Sequence, residues 1–222
     1  MGIRADNWRL VADLMLSSGR KLEACGADFA LSPDHTIHQA FDLVSAESPI
    51  PWISIADSVA QAAKKSGLKC LATTGTIYLM TGPVYSGTLR KAGISCRIPT
   101  AIQREKIDEI IFTELIYGII KEDSRLYYNE VIQELKEQGC GGVVLGCTGI
   151  PLIVQPDDCA LPTFDSTRLL ARAALRKALP PQTYHLAPSV NRRCMDNNWM
   201  KNGVTLFGGG SKHRFMGPLP AN

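Results

Sequence analysis

The chain has 222 residues, of which 45% are apolar and 20% charged, with a formal charge of +3. That charge is too small and too scattered to argue for nucleic acid or a membrane surface. No apolar run approaches the ~18 residues that a membrane helix needs. The length suits one large α/β domain or two small ones with a substantial core.

The N-terminal MGIRADNWRLVADL lacks a basic segment followed by an apolar core and a cleavage site, so a cytoplasmic protein is expected. Seven cysteines, at positions 25, 70, 96, 140, 147, 159 and 194, form no Cys-x-x-Cys pair and no zinc-finger spacing. They read as reduced thiols. Cys25, Cys70, Cys96 and Cys140 fall at helix ends or in strand-like stretches, where a small apolar filler is the plain reading.

Helical and strand-like segments alternate from residue 6 to about 179. Asn7 is placed to cap a helix over 8–24 with an apolar stripe that includes Leu10, Val11 and Leu14. A strand over 28–32, a helix near 36–46, a strand over 52–55 and a helix near 57–66 follow. Next come a strand over 69–72, a helix over 82–92 and a strand over 95–98. Two long helices are predicted over 101–120 and 123–138, then strands over 143–145 and 161–164 and a last helix over 166–179. Such alternation implies a parallel sheet covered on both faces, with ligands beyond the carboxyl ends of its strands. After Pro180-Pro181 the pattern stops, and residues 180–222 read as an irregular tail in which 204–210 is a candidate strand with a glycine loop.

Two stretches share one local plan. GGVVLGCTGIPLI, residues 141–153, is a buried strand that delivers Cys147 to its tip, followed by Thr148. GADFALSPDHT, residues 26–36, is a strand after a glycine that ends in a polar cluster containing Asp34, His35 and Thr36. Were the two strands related by a pseudo-twofold axis, Asp34 and Cys147 would face one another across a cleft. That arrangement suits proton transfer on opposite sides of a small carbon acid. The plainer alternatives are an apolar filler for Cys147 and a helix N-cap for Asp34. His35 and His38 lack the Cys, Asp or Glu neighbours of a metal site, so no metal is expected.

Over roughly residues 7 to 179 the chain resembles the cofactor-independent aspartate/glutamate racemases. The resemblance is carried by KLEACGADFALSPDHTIH, PWISIADSVAQAAKKSGLKCLATTGT, REKIDEIIFTELIYGIIKEDSR, GGVVLGCTGIPLI and PTFDSTRL, in the family's order and spacing. It implies two similar α/β halves with the active site in the cleft between them, no cofactor, an acidic amino acid such as aspartate or glutamate as substrate, and a homodimer. In that family two thiols flank the substrate's α-carbon. Cys147 matches the second.

The first thiol stands in a Cys-Asn-Thr-x-His pattern that here reads Asp34-His35-Thr36-Ile37-His38, so Asp34 takes the first thiol's place as the expected second acid/base. The resemblance also implies substrate contacts from Thr36, His35, Gly75, Thr76, Thr148 and Lys121. The family's Gly-Thr-Arg-x-Thr loop appears as Gly75-Thr76-Ile77-Tyr78-Leu79, without the arginine, and Gly149 follows Cys147-Thr148 where Glu or His is common. A further first strand with a Gly-Gly-Met-Gly-Pro loop, expected ahead of residue 7, is missing or displaced. Two alternatives keep the fold: a single-cysteine lyase or isomerase of a small dicarboxylic acid, and a non-catalytic ligand-binding homologue.

Overall fold

Helices capped by their own neighbours alternate with short parallel strands in this computed structural model, whose described residues are 7–179. Helix α1 (Trp8–Ala24) begins at Asn7, whose side chain accepts the Leu10 N–H at 3.1 Å. Its buried residues Val11, Ala12, Met15 and Leu16 pack on Ala40 and Val44. Gly26, at φ +84, turns the chain into strand β1 (Ala30–Leu31). A single 3₁₀ turn over 36–40 leads into helix α2 (Phe41–Glu47), and strand β2 (Trp52–Ile53) lies parallel to β1.

Helix α3 (Ile55–Lys65) is capped by Ser54, whose hydroxyl accepts the Asp57 N–H at 3.1 Å. Strand β3 (Cys70–Gly75) follows, then the short helix α4 (Ile77–Thr81), helix α5 (Pro83–Lys91) and strand β4 (Ser95–Arg97). Thr100 and Gln103 cap each other at the start of helix α6 (Ala101–Thr113). Helix α7 (Glu122–Glu137), strand β5 (Val143–Gly146), strand β6 (Thr163–Asp165) and helix α8 (Ser166–Ala178) complete the chain of elements.

The larger sheet runs β4-β3-β5-β6, all parallel, and β1-β2 forms the smaller one. Side chains of β5 alternate across the larger sheet. Val143 and Leu145 join Ile107, Ile110 and Ile132 of α6 and α7, whereas Val144 joins Val59, Tyr85 and Leu89 of α3 and α5. Helices on both faces explain the continuous apolar runs of the central strands. The register pairs Gly75 with Gly146, so the two innermost strands end side by side and present Thr76 and Cys147 at one edge.

Several elements differ from the sequence expectation. The strand over 28–32 shortens to Ala30–Leu31, and the helix near 36–46 starts as a 3₁₀ turn. The helix over 101–120 stops at Thr113, and the chain reverses at Gly118, which sits at φ +69. Helix α4 has no counterpart in the expectation; Thr76 starts it by accepting the Leu79 N–H. The candidate strand at 204–210 and Cys194 lie outside the described residues.

A side chain at Gly146 has no room. A Cβ there would meet the Thr74 carbonyl oxygen at 2.5 Å and run into Leu79, and one at Gly75 would meet the Gly146 oxygen at 2.8 Å. Gly146→Ala is therefore expected to lower the unfolding free energy by about 1–3 kcal/mol. Chemical denaturation checks this, and a variant as stable as its parent contradicts it.

Candidate active site

A cleft of about 240 Å³ opens where the two sheets' strand tips converge. Pro33, Asp34, His35 and Thr36 line it from the segment after β1; Thr76, Gly146, Cys147 and Thr148 line it from the ends of β3 and β5. Larger hollows of about 450 and 500 Å³ lie beside β6 and against α1, but neither contains a cysteine or histidine. Six of the eight residues singled out in the sequence thus share one cleft. Gly75 is buried at the end of β3, where its backbone sets the spacing, and Lys121 turns away: its Nζ lies 3.2 Å from Glu114, which also accepts the Ser124 hydroxyl at 2.6 Å.

Asp34 is held by its backbone and its side chain together. Its Oδ1 accepts the Ile37 N–H at 3.1 Å, its own N–H reaches the Ser32 hydroxyl at 3.2 Å, and its carbonyl oxygen lies 2.7 Å from His38 Nδ1. His38 Nε2 is 3.2 Å from the Ile55 N–H. An amide can only donate, so Nε2 is the bare nitrogen, and Nδ1–H donates to Asp34. Burial also pulls the His38 imidazole below its ordinary pKa. A neutral histidine thereby ties the Asp34 backbone to the N-terminus of α3.

His35 is fixed in the opposite tautomer. The Ser166 hydroxyl donates to the Leu145 carbonyl at 2.6 Å, so it accepts from His35, whose Nε2 lies 2.6 Å away. Nε2 therefore carries a proton. Burial, with a smaller push from His38, lowers the imidazole pKa to about 3. The ring is neutral across the physiological range.

Cys147 is half-buried, and its thiol pKa is raised above the ordinary cysteine value, first by burial and further by the negative charge of Asp34. Gly149, Ile150 and the Thr148 hydroxyl pull the other way, while the Ile150 N–H also reaches the Cys147 carbonyl oxygen at 3.2 Å. The resting residue is a thiol. Thr76 both caps α4 and lines the cleft, and Asp34 both accepts the Ile37 N–H and lines it.

Ser166 was not singled out for this role in the sequence. Ser166 reads there as a helix-start residue, and its partner His35 is 131 residues away, so no local pattern signals the pair.

Comparison with known proteins fits this geometry. The family model for Asp/Glu/hydantoin racemases matches residues 2–174. The chain belongs to that family. A candidate Asp/Glu racemase from Yersinia pestis is 35% identical over 80% of this chain and 77% of its own, with a TM-score of 0.75. An aspartate racemase homologue from Pyrococcus horikoshii is 29% identical over 77% of this chain and 75% of its own, with a TM-score of 0.70. The aspartate racemase of Picrophilus torridus, 22% identical with a TM-score of 0.62, covers 75% of this chain and 68% of its own and shares the fold.

Within this racemase-family cleft the carboxylate and the thiol are electrostatically linked, which yields a direct check. Asp34→Asn keeps a side-chain acceptor for the Ile37 N–H but removes the charge that raises the thiol's pKa. Iodoacetamide labelling of Cys147, followed by peptide mass spectrometry at pH 8, is expected to run about threefold or more faster in Asp34→Asn, because a lower pKa enlarges the thiolate fraction. An unchanged rate would show that the two groups do not sense one another.

Proposed function

We propose that the cleft racemises or epimerises an α-amino acid without a cofactor, with Asp34 and Cys147 as the opposed acid and base. The observation that carries this reading is that a carboxylate and a thiol, brought by strand tips of two different sheets, line one small cleft. The Asp34 carboxylate takes the α-proton from one face, and the Cys147 thiol gives its proton to the other. The carbanion exists between these two events, and its enolate-like carboxylate accepts hydrogen bonds from the Thr36, Thr76 and Thr148 hydroxyls. Turnover leaves a protonated Asp34 and a Cys147 thiolate, which the N–H groups of Gly149 and Ile150 stabilise until solvent protons reset the pair. The antipode runs the same steps in reverse. Each positioned acid or base is worth about 10²–10⁴ in rate.

Aspartate and glutamate, after which the relatives are named, are the reference substrates. A cytoplasmic homodimer completes the proposal. A second reading has one observation in its favour: burial keeps Cys147 protonated, which suits delivery of a single proton to a carbanion formed by another route, such as decarboxylation. Product stereochemistry separates the two, since one-sided delivery yields one enantiomer.

The test is exchange of the α-hydrogen in deuterium oxide, followed by NMR for each enantiomer of the common amino acids. Wild-type protein is expected to exchange and racemise at least one of them, with Cys147→Ser slower by about 10²–10⁴. Absence of exchange with every amino acid would overturn the racemase reading.

A further inference from the structure

Asp34 is the only formally charged side chain among the described residues that line the cleft. The other polar groups there are hydroxyls, a thiol and one histidine. That histidine supplies no positive charge, because burial keeps the imidazole neutral, and the chain from His35 through Ser166 to the Leu145 carbonyl takes up the single N–H that remains. Its remaining nitrogen is a lone pair, which attracts an N–H and not a carboxylate. Lys121, the cation nearest to this role in the sequence, is engaged by Glu114 outside the cleft lining, and Glu114 is in turn fixed by Ser124. At the position beside Thr76 where the sequence pattern has an arginine, the half-buried residue is Ile77.

The cleft is thus small, negatively charged and rich in hydroxyl donors. Three threonine hydroxyls suffice for one carboxylate. A second carboxylate would join the first beside the Asp34 charge, with no cation among the described lining residues to offset either one. An ammonium group is drawn by the same field that repels the second acid.

We infer that the preferred substrate is a small α-amino acid with an uncharged side chain, of the alanine or serine class, and not an amino dicarboxylic acid. The inference rests on the racemase reading for its turnover, but its binding arm stands apart from that reading.

Isothermal titration calorimetry on the full chain at pH 7.5 compares L-alanine and L-serine with L-aspartate and L-glutamate, alongside deuterium exchange on the same four compounds. Alanine or serine is expected to bind at least tenfold tighter than either diacid, and to exchange at least tenfold faster at equal low concentration. Ile77→Arg, which adds a cation at the start of α4, is expected to narrow that ratio at least threefold. Aspartate or glutamate binding as tightly as alanine overturns the inference, and so does failure of all four to bind. Tighter binding of the uncharged pair without any exchange upholds the charge preference and removes the racemase reading instead. Exchange that favours aspartate does the reverse. Should Ile77→Arg fail to fold, the wild-type ratios alone decide.

Discussion

Two parallel strands ending at the same level are what the cleft depends on. Gly75 and Gly146 are paired in register, and neither carries a side chain because the space that a Cβ would fill belongs to backbone oxygen and Leu79. That close approach lets Thr76 and Cys147 emerge side by side from the middle of a sheet buried on both faces. The smaller sheet then needs only to bring one loop to the same edge. It does so through His38, which bridges the Asp34 carbonyl and the Ile55 N–H, and through His35, which reaches Ser166 across the chain.

The two histidines illustrate how burial and hydrogen bonding act together. Each imidazole has one nitrogen whose role its partner dictates, and the two partners dictate opposite tautomers. Both rings are buried, which disfavours a second proton, and both pKa values fall. The polar loop next to Asp34 and Cys147 thereby gains no positive charge from its histidines. The negative charge of Asp34 raises the Cys147 pKa and faces whatever enters the cleft, which ties thiol chemistry and ligand preference to one carboxylate.

Much of this was legible in the sequence, for reasons that can be named. The β5 tip announces itself because an apolar run, a glycine, a cysteine and a threonine occur consecutively, and strand periodicity fixes which end is exposed. Asp34 was readable both as a cap and as an acid; the structure puts His35 at the cap of the 3₁₀ turn, one residue on, and has Asp34 accept the Ile37 N–H from just before it. The parallel architecture followed from helix and strand alternation, and the family assignment from the motifs in register. Boundaries were less accessible. Gly118 ends a run of apolar residues that helical periodicity would have continued, because a left-handed turn outweighs the pattern. The contact between His35 and Ser166 was beyond reach, since it joins an interior loop to a helix start through a 3-D approach with no local signature. The engagement of Lys121 by Glu114 is similar: charge alone does not tell which carboxylate a lysine finds.

The central claim is that positions 34 and 147 are the two places from which protons reach one α-carbon. The most direct measurement is the racemisation rate, by circular dichroism, of Asp34→Asn and Asp34→Cys against the parent on the amino acid it turns over fastest. Asparagine retains an acceptor for the Ile37 N–H but cannot exchange a proton at neutral pH, so a loss of about 10²–10⁴ is expected, whereas cysteine restores an acid/base and retains measurable turnover. Asp34→Asn racemising as fast as the parent would contradict the account.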